Sequence, residues 1–113
     1  MDIELHAAIA AVIPHCYGTV APADAPEPYV IWQRIGGEFS EYLDNDTSQV
    51  DTATVQVRVF SRDISQPKTL IAQLCEALRQ HPEMAIRPQG GHMDDYDHDM
   101  GLFVAEMMFD VGH

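Results

Sequence analysis

The stretch from Thr52 to Phe60, TATVQVRVF, alternates between apolar and polar side chains. Successive side chains of a β-strand point to opposite faces of the sheet. The alanine and the three valines of this stretch therefore share one face, while Gln56 and Arg58 share the other face with the threonines. This alternation predicts a strand that buries only one face, which is typical of antiparallel sheets.

Segments on both sides of this strand show helical or strand patterns. Apolar residues at helical spacing predict helices over Asp2–Ile13 and Gln66–Gln80. A nearly continuous apolar run predicts a strand over Tyr29–Ile35, and alternation predicts another strand over Leu102–Val111. Met84–Gly91 has a weaker strand pattern, because a proline and two glycines interrupt it.

The order helix, strand, strand, helix, strand, strand predicts an α+β fold. We expect an antiparallel or mixed sheet of about four strands, with both helices packed on one face. The chain has 113 residues, which is the usual size of one domain, so we expect residues 1–113 to form a single domain. An apolar fraction of 46% argues against intrinsic disorder in spite of the charge.

Acidic residues dominate the charge of the chain. It has 18 Asp and Glu against 6 Lys and Arg, which gives a formal net charge of -12. Such a surface repels nucleic-acid phosphates and anionic lipids. The cations are scattered singly along the sequence, so we expect no sequence-specific nucleic-acid binding. No apolar run approaches the ~20 residues of a membrane span, and the first residues lack the basic region of a signal peptide, which predicts a cytoplasmic product without a membrane partner.

The sequence shows no pattern that is typical of an active site or a cofactor pocket. Its two cysteines, Cys16 and Cys75, lack the spacing of metal ligands, and we expect free, partly buried thiols rather than a disulfide. The glycine pairs lack the lysine or the helix that follows a phosphate-binding loop. We therefore predict no enzyme activity, catalytic residue, cofactor or metal.

The sheet face opposite the helices is expected to carry polar side chains together with Phe60 and either Trp32 or Ile31. A half-apolar open face on a small acidic domain indicates packing against a neighbouring molecule. The candidate subunit-interface residues are Trp32, Gln56, Arg58 and Phe60.

The segment from Glu38 to Asp51 is acidic and has few apolar anchors for a core. We expect a mobile loop or a long hairpin arm there. The residues expected to face a lumen or a partner are Asp44, Asn45, Asp46 and Asp51.

A second acidic stretch precedes the last predicted strand. Asp95, Asp97 and Asp99 alternate, and Glu106 follows eleven positions after Asp95, which is the carboxylate spacing of an EF-hand calcium loop. The sixth position of such a loop needs glycine and here holds Met100, and the flanks have strand patterns where an EF-hand has helices. A solvated acidic turn between two strands is the other interpretation of this stretch.

Three blocks of sequence, taken in their order and spacing, resemble a known family. The first runs from the proline-rich Ala21–Pro28 into Tyr29–Gly37, YVIWQRIGG. The second is Val55–Ser61, VQVRVFS, which precedes a helix rich in leucine and alanine. The third joins Asp95–Phe103 to a closing FDV strand at residues 109–111. Together they are similar to the small tail-completion proteins of long-tailed bacteriophages and prophages, the tail-terminator or tail-to-head joining group.

The resemblance implies an α+β subunit that assembles into a hexameric ring. Such a ring caps the tail tube, stops its growth and joins the tail to the head connector, so the tail-tube protein and the head-connector protein are the implied partners. The implied role is structural virion assembly without catalytic residues, first in the bacterial host cytoplasm and then in the virion tail.

Two features of this sequence bear on that implication. Acidic residues before a Gly-Leu-aromatic step belong to the family pattern, which accounts for Asp95–Asp99 without calcium. After that step, relatives often have basic residues, whereas this chain has Val104, Ala105 and Glu106. The alternative function is a monomeric binding module that responds to calcium or another divalent cation.

Overall fold

A computed structural model of the chain describes residues 2–38 and 52–112. The elements in chain order are α1 (Asp2–Ala10), β1 (Cys16–Gly18), β2 (Tyr29–Glu38), β3 (Thr52–Ser61), α2 (Gln66–Arg79), β4 (Ala85–Pro88), β5 (Met93–Asp97) and β6 (Leu102–Gly112). The mixed α+β composition confirms the predicted fold class. In the described residues, neither helix is long and apolar enough to cross a membrane.

The strands form one open sheet in the order β1-β2-β3-β6-β4, and β5 also pairs with β6. β6 has two neighbours along the same edge, because β5 pairs with its first residues and β4 with its last. β1 is parallel to β2, whereas the other pairs are antiparallel. At the end of the sheet where β2 stops, β2 and β4 are therefore the outer strands.

The described part of the chain has six strands in this sheet rather than the expected four or so. The two strands that the sequence did not predict lie at the edges. β1 has three residues, and β5 is Met-Asp-Asp-Tyr-Asp, in which aspartate is a poor strand former. Both form because a longer strand, β2 or β6, offers unpaired backbone N–H and C=O groups along its edge.

Both helices pack on one face of the sheet, and their apolar stripes join the inward side chains of the strands in one core. In α2 the stripe is Ile71, Leu74 and Leu78, each at most 1% exposed. The valines of β3 face this stripe, and Val57 is 0% exposed. Fully burying a side chain of this size contributes roughly 1.5–3 kcal/mol, so this face is the main source of stability.

The first helix is shorter than its pattern predicted, because α1 ends at Ala10 rather than at Ile13. Ile13 is nevertheless buried, and its N–H donates to the carbonyl oxygen of Ile9 at 3.0 Å. One more turn therefore continues past the regular helix. It stops at Pro14, which has no N–H to donate.

Candidate assembly surface

The sheet face opposite the helices carries the candidate assembly surface. Since β2, β3 and β6 are adjacent, their side chains stand in rows across the strands. Two such rows are Ile31–Arg58–Glu106 and Gln33–Gln56–Met108. The polar side chains of both rows are half-buried, which leaves part of each for contact with another molecule.

Contacts within the chain hold the side chains of Gln56 and Arg58 in place. Gln56 Nε2 donates to Glu106 Oε1 at 2.8 Å. The guanidinium carbon of Arg58 lies 5.7 Å from the ring centroid of Phe60, which is within the range of a cation–π contact. These two predicted interface residues therefore lie together on the open face. Because their side chains already have contacts within the chain, less conformational entropy is lost when a partner binds.

Phe60 lies on the same face but is covered by the chain itself. It is 4% exposed and stacks on Tyr29, with ring centroids 4.8 Å apart. The other buried members of this cluster are Ile31, Leu102 and Val104, and the residues packed over it are Tyr17, Ala21 and Ala25. Phe60 therefore has little surface left for a partner. Burial, followed by the charges of Asp97 and Glu27, raises the pKa of the Tyr29 phenol beside it.

Trp32 lies on the helix-covered side of the sheet, apart from the other three predicted interface residues. It is half-buried against the main core, and its Nε1–H donates to Nδ1 of His6 in α1 at 2.9 Å. The two rings meet edge-on with centroids 6.0 Å apart. The continuous apolar run of β2 gave no alternation from which to choose between Ile31 and Trp32, and it is Ile31 that faces the open side.

The second acidic stretch forms the hairpin between β5 and β6. Asp97 Oδ1 accepts from the N–H of Met100 at 3.0 Å, and Asp95 Oδ1 accepts from the N–H of Tyr96 at 2.8 Å. Gly101 has a φ of 69° and donates its N–H to the Asp97 carbonyl oxygen at 2.7 Å. The carboxylates thus bind backbone groups of a tight, solvated turn.

The four carboxylates of the predicted calcium spacing do not converge. Asp95 and Asp97 lie on β5, Asp99 lies in the turn, and Glu106 is paired with Met93. Across residues 2–38 and 52–112, no group of three His, Cys, Asp or Glu side chains is placed to hold a metal ion. The geometry therefore favours the acidic turn over a calcium loop.

Four predicted partner-facing residues lie outside the described residues: Asp44, Asn45, Asp46 and Asp51. The flanks of their segment are in place, because Glu38 in β2 pairs with Thr52 in β3. The same row continues through Gly112 in β6 to Ala85 in β4. Segment 39–51 therefore joins the sheet at the end where β2 and β4 are the outer strands.

The structure also contains an open groove of about 640 Å³ that the sequence did not predict. It lies between the end of α2 and β4, and we call it the arginine groove because Arg79 and Arg87 line it together with His81. His81 Nδ1 accepts from the backbone N–H groups of Glu83 at 3.1 Å and Met84 at 3.0 Å, which leaves Nε2–H as the donor of the ring. The spacing of these residues in the sequence could not reveal this groove, because the groove forms only when β4 packs beside α2.

Comparison with known proteins identifies a matching family and a similar fold among solved structures. A family model described as tail completion protein gp17 matches residues 4–112. A search of curated proteins gives no match. Among solved structures, the chain is similar to a chain in the virion of a native gene transfer agent particle, with 11% sequence identity and a TM-score of 0.60 over 92% of this chain and 82% of that chain. At this identity, the similarity concerns the fold alone.

The family match places this small α+β chain with its open sheet in the class of structural tail-assembly proteins. The family model extends over nearly the whole chain, and the chain belongs to the tail completion protein gp17 family. The resemblance seen in the sequence is therefore confirmed, and the role of the protein is structural, in the assembly of a phage-type tail.

Proposed function

We propose that copies of this chain close into a ring of six subunits that caps the tail tube and joins the tail to the head connector. The single observation that carries this proposal is the family match over residues 4–112. A protein that completes a tail terminates the tail tube and contacts the component that joins it, here the head connector. A closed ring meets both needs, because it presents one end to the tube and the other to the connector.

The shape of the sheet supports a ring of this kind. A closed ring repeats one heterologous contact, in which two different surfaces of the subunit meet. At the Glu38 end the outer strands are β2 on one side and β4 on the other, so each subunit has two unlike edges there. A stable interface buries about 1,200–2,000 Å² in total, and these edges together with the half-buried side chains around Gln56 and Arg58 supply surface for it.

In this proposal, residues 1–113 act as one domain, and segment 39–51 faces the ring lumen or a partner. A lumen that passes DNA benefits from carboxylates, because like charges repel and keep the DNA from adhering. The carboxylates proposed for this role are Asp44, Asp46 and Asp51.

Native mass spectrometry over a concentration series, with and without magnesium or calcium, tests the ring. We expect a species of six times the subunit mass at high concentration, independent of the ions. A chain that stays monomeric at every concentration, in every buffer and after addition of tail tubes, would contradict the proposed ring.

Deletion of the gene in its phage separates the two activities of the proposed ring. Tails of unregulated length indicate the loss of a terminator. Tails of normal length that fail to join heads indicate the loss of a joining protein. Full heads with normal tails attached would contradict both.

A further inference from the structure

We infer that the free edge of β2 docks on β5 of the neighbouring copy, with Arg34 and Ile35 against Asp94 and Tyr96. This inference rests on the proposed ring and names the contact that closes it. The occupant of the β5 surface is a second copy of this chain, and the recognition combines opposite charge with apolar contact.

The outer half of β2 has an unpaired edge. Within the part of the chain that the structure describes, β1 pairs with β2 only as far as Trp32, so residues 33–38 have no neighbouring strand on that side. The carbonyl oxygen of Trp32 points to this side, where it accepts from the N–H of Thr19 at 2.8 Å. Backbone groups alternate in direction along a strand, so the N–H and C=O of Arg34 point to the same side. Such an edge is a template for pairing with another strand.

The side chains on this edge are exposed. No ion pair between described residues includes Arg34, whose side chain faces solvent. Ile35 is 44% exposed and occupies a β-bulge, because the register with β3 passes from Arg34 directly to Gly36. Bulges redirect side chains at the edges of sheets, and a glycine in a strand lets another backbone approach closely. The edge thus presents one positive and one apolar side chain to a partner.

The opposite side of the sheet carries a complementary surface. An open groove of about 330 Å³ lies between β5 and the start of α2, and we call it the hairpin groove. Its apolar lining includes Ile64, Tyr96 and Phe103, and the first two are 63% and 38% exposed. Asp94 lines the β5 side of the groove, and Lys68 lines the α2 side. Large apolar side chains exposed together indicate a surface for binding.

Arg34 stands on the same face of the sheet as the groove-lining side chains of β5. Directly paired residues of neighbouring strands share a face. Arg34 pairs with Val55 and Asp94 pairs with Ala105, and both partners belong to the core beneath the helices. Tyr96 follows Asp94 by two positions and shares its face. A sheet that continues from one copy into the next therefore places the guanidinium beside this carboxylate and this ring.

The outer edge of β5 is also oriented to pair with another strand. The carbonyl oxygen of Met108 in β6 points to the side of β4 and β5, where it accepts from the N–H of Gln89 at 2.8 Å. Glu106, two positions away, therefore points its backbone groups to β5, and Met93 opposite it points inward. This alternation turns the backbone groups of Asp94 to the outer edge. Because β2 is parallel to β6 and β5 is antiparallel to it, the pairing between copies is antiparallel.

The stagger of a closed sheet brings the two edges together. With no stagger, Arg34 would stand opposite Pro88 of the neighbour, since both lie in the row of Phe109, and proline has no N–H to pair. Closure of a sheet tilts its strands by about 35–45° and staggers their register. Four strand spacings separate β2 of one copy from β2 of the next, about 19 Å, so the stagger is roughly 13–19 Å. Asp94 and Tyr96 lie four and six positions from the row of Phe109, about 14–20 Å along the strand.

The carboxylate of Asp94 is accessible to an incoming guanidinium. Its Oδ1 lies 3.3 Å from Nε2 of His92, and both side chains are exposed. Exposed ion pairs contribute little to stability, so Arg34 can replace this histidine at small cost. The planar N–H donors of a guanidinium match a carboxylate, and the ring of Tyr96 adds a cation–π surface.

A charge exchange tests this contact. Arg34→Glu and Asp94→Lys each place like charges against each other at every interface, so we expect the protein concentration needed for ring assembly to rise at least about tenfold. The double variant restores opposite charges at every interface and should assemble near the wild-type concentration. An equal mixture of the two single variants should also assemble, as rings in which the variants alternate. Native mass spectrometry over a concentration series measures all four samples.

A second variant tests the apolar part of the contact. Ile35→Ser should raise the concentration needed for assembly about tenfold, because it removes an apolar side chain that docking buries. Ile3→Ser is the control, since Ile3 is 87% exposed on α1, outside the proposed contact. Arg79→Glu and Asp24→Lys are the matched controls for the charge variants, because both side chains are exposed on other surfaces. Circular dichroism with urea unfolding verifies that every variant is folded.

The outcomes separate the docking from the ring itself. If the wild type forms rings and the single charge variants form them equally well, the docking is wrong and the ring stands. If the wild type never assembles, even after addition of tail tubes, the ring and the docking fail together. If the single variants are weak and neither the double variant nor the mixture recovers, Arg34 and Asp94 do not meet between copies, and the docking is wrong.

Discussion

Trp32 in β2 donates its indole N–H to Nδ1 of His6 in α1 at 2.9 Å, across the boundary between sheet and helix. Because Nδ1 accepts, the imidazole carries its hydrogen on Nε2. The Sγ atom of Cys16 lies 3.7 Å from the same Nδ1. The first helix is therefore tied to the sheet by a polar contact as well as by its apolar stripe.

Removal of the acceptor should destabilise the protein. His6→Ala leaves the half-buried indole N–H of Trp32 without a partner, and we expect a loss of about 1–2 kcal/mol in the free energy of unfolding, measured in urea. His92→Ala is the control, because it changes a histidine at the surface and should stay within about 0.5 kcal/mol of wild type. In Trp32→Phe, which lacks the donor, the further change His6→Ala should cost less than in the wild type. Equal costs in both backgrounds would show that the hydrogen bond contributes nothing.

The thiol of Cys16 should react slowly in the folded protein. Partial burial raises the pKa of this thiol from 9.0 to about 11, and the thiolate is the form that attacks alkylating reagents. In a Cys75→Ser background, the alkylation rate of Cys16 by iodoacetamide should rise about tenfold per pH unit from pH 8 to about pH 10. The urea-unfolded chain is the control, and its alkylation rate should level off near the ordinary pKa of a thiol. A native rate that also levels off near pH 9 would contradict the raised pKa.

The same pKa shift predicts how stability depends on pH. The folded thiol holds its proton more tightly than the unfolded thiol, because its pKa lies above the ordinary value of 9.0. Its contribution to stability is therefore complete below about pH 9 and is lost as pH rises towards about 11. Urea unfolding of wild type should show this decline, and Cys16→Ala should show a smaller one. Parallel curves for the two proteins would argue against the shift.

The turn before β6 needs glycine at position 101, whereas the segment before β5 does not need it at position 91. Gly101 has a φ of 69°, which an L side chain adopts at a cost of roughly 1–2 kcal/mol. A Cβ there would lie 3.7 Å from the Tyr96 hydroxyl, an ordinary contact, so the cost comes from the backbone. Gly101→Ala should therefore lower the free energy of unfolding by about 1 kcal/mol. Gly91→Ala, with ordinary φ and open space, should change it little. Equal losses in the two variants would remove this explanation.

Local periodicity predicted the elements that bury one face. The alternation of β3 and the helical stripe of α2 both reflect contact with the core, and the structure places both as expected. The edge strands β1 and β5 were missed because they form by pairing with β2 and β6. Such pairing leaves no periodic pattern within a short segment of sequence. The sequence left open whether Trp32 or Ile31 faces the open side, because an uninterrupted apolar run does not show which side chains face the helices.

The candidate site was less predictable than the fold. Gln56 and Arg58 were found from the alternation of a single strand, which local sequence does report. The arginine groove required knowledge of which segments fold next to each other, because Arg79 ends a helix and Arg87 lies on the following strand. The sequence shows two cations eight positions apart, and only the folded chain shows that both residues line one groove.

The acidic hairpin should not bind calcium tightly. The carboxylates at Asp95 and Asp97 accept hydrogen bonds from the turn and do not converge with Glu106. Calorimetric titration should show no stoichiometric binding at micromolar calcium. Asp97→Ala should instead weaken the hairpin, since Met100 loses its acceptor, and Asp99→Ala is the matched change in the same turn. Micromolar binding that disappears in Asp97→Ala would favour the divalent-cation module over the ring.

Neutralisation of the acidic segment should impair tail completion in the phage. Asp44→Asn, Asp46→Asn and Asp51→Asn together remove three negative charges from segment 39–51 while keeping side-chain size. If these carboxylates face the ring lumen, rings should still form, but DNA should adhere to the lumen and phage yield should fall. Asp2→Asn, Asp24→Asn and Asp99→Asn remove the same charge at exposed positions and should leave assembly and phage yield unchanged.

Ring assembly and phage yield, measured together, test the position proposed for the segment. Normal rings with poor DNA delivery would support carboxylates in the lumen, where they repel the passing DNA. Weak rings that recover at higher protein concentration would indicate that the segment contacts a partner instead, because added subunits compensate for a weaker contact by mass action. If rings and yield are both normal, neither position accounts for the acidity of the segment.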